Sequence, residues 1–400
     1  MKSKIFKDRE ALTSGYTPKL SPYRDYQLRR LIDAFTPILK ESEPPVQVVA
    51  YGGIGVGKTM VARQMRHSLE FKACKEEASL RCIHIDCMKE RTLGGIIRLL
   101  ASLFSPTMPL RGYSLEETFL TAIREARAKR LRVLLIIDGA DPIFKSNPKM
   151  AVLLSRMYEV SPKHTNPSLL ITLRSLDVFS QMEPWAIRSL RKNVIEFDNY
   201  DRDQLEAILK YRVRYAFQRR ALPKETLASC IDLASDQGGN MKYVLELLKK
   251  AGERAESSGR SVVTFNHISK AVEQISPSFT FEELEDLSTH EKLIMLSSVH
   301  LLDSTQRACI SMGELEEAYI KLCKIYGLRP VGHTWLWKTV GTLSMLGFLE
   351  KRLSGLGRKG KTTLIEVPIK SKKHLYKQLS SLIRRRTAEP PELELSQDTL

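Results

Sequence analysis

The 400-residue chain has no uninterrupted apolar run of about 18 residues, the length a membrane-crossing helix requires. Its first stretch, MKSKIFKDREALTSGY, lacks the apolar centre of a secretory signal. Both absences point to an intracellular protein with no transmembrane helix. Cysteine is sparse: six residues, none in a CxxC pair, which argues against zinc and for reduced thiols. Acidic residues are in deficit, 46 against 63 Lys and Arg, leaving a net charge of +17. An excess of that sign favours a polyanionic partner, either nucleic acid or an anionic membrane surface. No internal repeat is visible, and the length suits two or three domains.

What is present is organised around GGIGVGKT, Gly52 to Thr59, which fits G-x-x-x-x-G-K-[ST]. VQVVAY before it reads as a buried strand, and MVARQMRHSLEF after it as a helix. Glycines let backbone N–H groups wrap a phosphate chain without Cβ clashes, and the helix N-terminus adds donors. Gly53, Gly55, Val56, Gly57, Lys58, Thr59 and Met60 are the nucleotide-binding candidates. Lys58 would reach the β- and γ-phosphates, and Thr59 would offer its hydroxyl to Mg²⁺.

RCIHIDC, LRVLLIIDGAD, SLLITLRS and VIEF read as further strands, alternating with helices in LGGIIRLLASLF, LEETFLTAIREARAKR and KMAVLLSRMYEV. That alternation predicts an α/β domain, residues 15–199, with a parallel sheet covered on both faces and its ligand at the carboxyl ends of the strands. Residues 1–20 read as polar and loose. Four helical segments without strands predict an α-helical lid, residues 200–276. Three helices and a β-hairpin over residues 284–372 predict a winged helix-turn-helix. Residues 373–400 read as a basic helix and an acidic tail.

Asp138, ending an apolar strand, suits the Mg²⁺ water shell. The acid that commonly follows, to orient the attacking water, is replaced by Gly139; Asp141 stands three residues along. The sensor strand ends in Arg174 and Ser175, with Ser175 the weaker substitute for an amide. Catalytic candidates are therefore Asp138, Asp141 and Ser175, and metal candidates Thr59 and Asp138. Arg188 and Arg191 could act in trans or be solvated charges. Lys242 begins a lid helix and could fold back onto the phosphates.

In the winged helix, Leu336, Val340, Leu343 and Leu346 should face the core. Thr334, Lys338, Thr339 and Thr342 would occupy the other face and suit a major groove. Arg358, Lys359 and Lys361 sit among glycines at the hairpin tip and suit a minor groove or phosphate backbone. The DNA-binding candidates are Thr334, Lys338, Thr342, Arg358, Lys359 and Lys361. Core packing is the expected use of at least one of Trp335 and Trp337. His333 is expected to be structural.

The order of these elements resembles the archaeal origin-recognition and cell-division-control family of AAA+ replication initiators. The resemblance runs from about residue 15 to 375: PYRDYQLRRL ahead of the P-loop, GGIGVGKT, FDNYDRDQLEAILKYRVRYAF, the lid segment GGNMKYVLELLKKAGERAESSGRSVVTFNHISKAVEQI and the wing GLGRKGKTTLIEV. It implies an AAA+ domain with lid and winged helix, ATP or ADP with Mg²⁺, and duplex DNA at a replication origin. It also implies other initiator paralogues and the replicative helicase as partners. The chain is then a monomer or a DNA-dependent oligomer, cytoplasmic and on the nucleoid. Tyr211 and Lys242, in the matching lid segments, join the nucleotide-binding candidates. Departures at Gly139, Ser175 and Lys242, and an arginine finger without a clear place, suggest a divergent paralogue with slow hydrolysis. The segment Arg91 to Arg111 could be the family's DNA-touching insertion. Two rivals remain: a signalling-type P-loop NTPase whose winged helix contacts protein, and a nucleotide-bound repressor of initiation.

Overall fold

In a computed structural model the chain is described at residues 3–18, 21–40, 43–106, 112–129, 131–146, 154, 167–182, 184–353 and 363–384. It folds as two compact units, Ser14–Val213 with Ala234–Lys242, and Met1–Thr13 with Arg214–Leu233 and Tyr243–Leu400. Among the described residues no helix is long and apolar enough to cross a membrane.

The first unit holds a five-stranded sheet of β1 (Gln47–Gly52), β2 (Leu80–Asp86), β3 (Arg132–Asp138), β4 (Ser168–Leu173) and β5 (Val194–Phe197). Each strand pairs in parallel with its neighbours, in the order β2-β3-β4-β1-β5. β3 and β4 are buried at nearly every position, as expected for apolar runs covered on both faces. On one face Ile96, Leu100, Phe104 and Phe119 come from α3 (Leu93–Phe104) and α4 (Leu115–Ala128). On the other, Leu31 and Phe35 of α1 (Asp25–Phe35) and Val61, Met65 and Leu69 of α2 (Lys58–Lys75) pack down. α5 (Asp141–Ser146) and α6 (Pro184–Leu190) complete the described helices of this sheet region. KMAVLLSRMYEV, expected to be helical, lies outside the described residues apart from Leu154.

The division into units differs from the boundary expected near residue 200. Most of α7 (Arg202–Ala216) and the turn before α9 (Met241–Ser257) go with the sheet. The turn is held by close backbone approach: a Cβ on Gly239 would sit 2.2 Å from the Tyr200 carbonyl oxygen, and Gly239 has φ 75°.

The second unit contains the rest of the helical region, with α8 (Lys224–Asp236) and α10 (Phe265–Val272), and the C-terminal helices. Residues 1–20 are not uniformly loose. Ile5, Phe6, Ala11 and Leu12 are buried. Phe6 bridges Phe217, their rings 5.2 Å apart, and a Cβ on Gly252 would meet Phe6 Cζ at 2.3 Å. A glycine in α9 therefore makes room for the N-terminal phenylalanine.

α11 (Phe281–Glu285) leads into α12 (Thr289–Ser304), joined by the buried Lys292, whose Nζ donates to the carbonyls of Glu285 and Leu287 at 2.9 and 2.5 Å. A cation on terminal carbonyls complements the negative end of the helix dipole. α13 (Met312–Ile325) and α14 (His333–Met345) follow. The wing is three strands, β6 (Ile310–Ser311), β8 (Thr363–Glu366) and β7 (Glu350–Leu353), antiparallel in that order. α15 (Lys372–Arg384) is basic outside but buries Leu375, Leu379, Leu382 and Ile383. It packs against α12, so the helix set apart in the sequence is built into the winged-helix unit.

Candidate nucleotide site and nucleic-acid interface

The P-loop runs from the carboxyl end of β1 into α2. Gly52, Gly55 and Gly57 have φ of 154°, 77° and 95°, backbone that L side chains rarely adopt. The loop is also crowded in a way only glycine allows. A Cβ on Gly53 would meet Asn199 Oδ1 at 2.8 Å, one on Gly55 would meet Asn240 Oδ1 at 2.1 Å, and one on Gly57 would meet the Tyr200 hydroxyl at 2.8 Å. Val56 is fully buried, and Met60 stands behind Gly57 in the first turn of α2.

Lys58 turns its Nζ onto the carbonyls of Gly52 and Gly53, 2.7 Å from each. Burial lowers its pKa to about 8, opposed by Asp141 and Asp138, with Arg174 and Lys242 adding repulsion. A nucleotide's phosphates would favour its charged form. Thr59 Oγ1 donates to Asp138 Oδ1 at 3.1 Å, so the two metal candidates meet. Asp138 also contacts His84 Nε2 at 3.1 Å and accepts from Thr172 Oγ1 at 2.5 Å. Burial opposes ionisation of Asp138, but the bonds from His84, Thr172 and Thr59 outweigh it and hold the carboxyl below its ordinary range.

These residues fit a magnesium–nucleotide complex. The glycine cradle suits a phosphate chain, Lys58 its charge, and Thr59 with Asp138 a Mg²⁺ that keeps phosphate and water oxygens. Among the described residues no group of three His, Cys, Asp or Glu could hold a metal unaided.

Two catalytic candidates are engaged in local hydrogen bonds. Asp141 opens α5, and both its oxygens accept from the Arg174 backbone N–H, at 2.9 and 3.1 Å. It ties the end of β4 to α5. Ser175 caps the 3-10 turn that follows β4: its hydroxyl donates to Asp177 Oδ2 at 2.7 Å and accepts from Asp177 N at 3.1 Å. The polar group at this strand end whose charge reaches Lys58 is Arg174. Gly139 has φ 69° with open space around it, and its N–H donates to Thr172 Oγ1 at 2.7 Å.

Lys242 lies at the loop: its backbone nitrogen is 3.0 Å from where a Cβ on Gly55 would be. Tyr211 is half-buried on α7, beside Arg212, whose guanidinium lies over Tyr16. The aromatic that closes on the P-loop is Tyr200. Sequence reasoning also missed Arg24, only 3% exposed. Its Nε donates to the Val56 carbonyl at 2.8 Å and its terminal nitrogen to Asp198 O at 2.5 Å, while the guanidinium sits 4.0 Å over the Tyr200 ring. PYRDYQLRRL marks the segment, but nothing in it singles out Arg24 among its three arginines. Arg188 and Arg191 are exposed.

On α14, Leu336, Val340, Leu343 and Leu346, the last just beyond its end, are buried. Thr334 and Lys338 are exposed and Thr342 is half-exposed, but Thr339 is buried. Neither tryptophan is in the core: Trp335 is 42% and Trp337 52% exposed. His333 is exposed, its Nδ1 2.7 Å from Glu316 Oε2. Arg358, Lys359 and Lys361 lie outside the described residues.

Comparison with known proteins separates family from fold. Family models match in chain order: an AAA domain at residues 47–179, the Cdc6 AAA+ ATPase-type lid domain at 206–273, and the CDC6 C-terminal winged helix domain at 282–388. The ORC1-type DNA replication protein 2 of Sulfurisphaera tokodaii is 30% identical over 96% of this chain and 94% of its own length. The chain belongs to the ORC1-type DNA replication proteins. The ORC1-type DNA replication protein of Pyrococcus abyssi is 28% identical over 92% of this chain and 88% of that protein. Among solved structures, the Aeropyrum pernix ORC1 protein in complex with DNA is 28% identical, with a TM-score of 0.75 over 96% of this chain and all of that one. The Aeropyrum pernix ORC2 protein in ADPNP–ADP complexes, 20% identical with a TM-score of 0.61 over 96% of this chain and 100% of that one, shares the fold.

Proposed function

We propose that this ORC1-type chain binds ATP or ADP with Mg²⁺ and recognises duplex DNA at replication origins through its winged helix and AAA+ domain. The carrying observation is α14, which turns Thr334, Lys338 and Thr342 outward while Leu336, Val340 and Leu343 hold it to its unit. That is the arrangement of a helix offered to a groove. The relative solved with DNA and the net charge of +17 support the same reading. The nucleotide is held more readily than it is consumed. Gly139 supplies no carboxylate, and Asp141 and Ser175 are already bonded to neighbouring backbone or side chains. Slow turnover would make the nucleotide a conformational setting, compatible with activation or repression of initiation. Other initiator paralogues and the replicative helicase are the partners this role calls for, with assembly on DNA at the nucleoid.

Duplex affinity measured across salt concentrations tests the reading. Each neutralised phosphate steepens the slope of log K against log salt by about 0.9. Arg358→Ala with Lys361→Ala should lower both affinity and slope. If both stayed unchanged, the wing assignment would fail.

A further inference from the structure

On α14, Trp335 and Trp337 stand either side of the buried Leu336. At about 100° per residue they leave the helix on opposite flanks. The strip between them, facing away from Leu336, carries Thr334 and Lys338 and then Thr342. Both indoles are exposed, yet each is oriented. Trp335 stands edge-on to His290, ring centroids 5.9 Å apart, and the Tyr319 hydroxyl lies 2.7 Å from His290 Nδ1. Trp337 lies beneath Lys351 of β7, whose ammonium is 5.4 Å from the ring centroid. The same ammonium is 3.6 Å from where a Cβ on Gly341 would be, so it lies along the ridge shared by Trp337 and Gly341.

We propose that Trp335 and Trp337 seat α14 in the major groove of duplex DNA, one indole against each sugar–phosphate wall. Thr334, Lys338 and Thr342 then face the base edges between the walls. This rests on the duplex-binding reading above. A major groove is about 12 Å wide and a helix with its side chains about 10–12 Å across, so the flanks of a seated helix meet the walls. An indole presents a flat apolar face with an N–H donor at its edge, matching a deoxyribose beside a phosphate oxygen. Lys338 on the strip and Lys351 on one flank add the charge complementarity that selects a polyanion. Contacts to sugar and phosphate position a protein without reading sequence, and a neutral indole releases no counterions.

The chain has three tryptophans, so in a Trp185→Phe variant, excited at the red edge where tyrosine does not absorb, the emission comes from Trp335 and Trp337. Titrating it with several unrelated duplexes at several salt concentrations gives the decisive readout. The emission should change in step with binding. Trp337→Ala should weaken every duplex alike, by about tenfold, and leave the salt slope unchanged. Trp337→Phe, which keeps a ring, should recover most of the affinity. Salt-dependent binding with unchanged emission, and with affinity untouched by Trp337→Ala, overturns the role of the indoles while leaving duplex recognition standing. A loss confined to one sequence overturns the positioning role by making Trp337 a base reader. Failure of the unaltered chain to bind any duplex at low salt overturns both.

Discussion

The P-loop region and the outer face of α14 use positive charge in opposite ways. Around the P-loop two cations are tied to backbone: Arg24 to the carbonyls of Tyr23, Val56 and Asp198, and Lys58 to the carbonyls of Gly52 and Gly53. On α14 Lys338 is exposed, set between two exposed indoles. A buried cation in a rigid cradle acts strongly, is sensitive to pH and is weakly screened by salt. An exposed one acts weakly, is governed by salt, and matters mainly in number. The small-ligand site therefore concentrates its energy in a few residues, and the nucleic-acid face spreads it.

The contrast can be broken or sharpened by substitution. The largest effect is expected at Lys58→Ala, which should abolish nucleotide binding, a loss of about 100-fold or more by titration calorimetry. Arg24→Ala leaves the Val56 and Asp198 carbonyls without their donor and should cost about 3 kcal/mol in urea unfolding. Binding should also follow pH. With Lys58 near 8 in the free protein and charged beside phosphates, binding takes up a proton once pH rises above about 8. Affinity should then fall by about tenfold per pH unit, with proton uptake visible as heats that depend on the buffer. In the free protein the same depression means that the unfolded chain holds more protons between about 8 and 10.5, so this group's destabilisation is relieved as pH rises through that window. On the other side of the comparison, Lys338→Ala removes one exposed charge among many and should weaken binding only several-fold, with a shallower dependence on salt. The smallest change is expected at Gly139→Glu: about 1 kcal/mol lost to a backbone at φ 69°, with hydrolysis raised. Unaltered turnover as fast as that of the variant would contradict the holding role of the site.

Much of the architecture was legible because it is local. Gly52 to Thr59 carries its own spacing, Asp138 ends an apolar run, and the period of Leu336, Val340 and Leu343 shows which side of α14 is buried. What stayed hidden depends on pairs far apart in the chain. Arg24 and Asp198 are 174 positions apart, and Phe6 finds Phe217 only in the folded protein. Ser175 and Asp141 stand out in the sequence by residue type and by their place near strand ends. Their bonds to Asp177 and to the Arg174 amide follow from backbone direction, which periodicity does not encode. The tryptophans stand about 100° from the core line, where side-chain type favours burial and only the neighbouring elements decide.

Genome-wide footprinting of the native chain, with and without ATP, tests the central claim most directly. Protection should concentrate at a few loci where replication begins and be lost when Lys338 and Trp337 are both replaced by alanine. Protection spread evenly along the genome, or unaffected by those replacements, would contradict origin recognition through this winged helix.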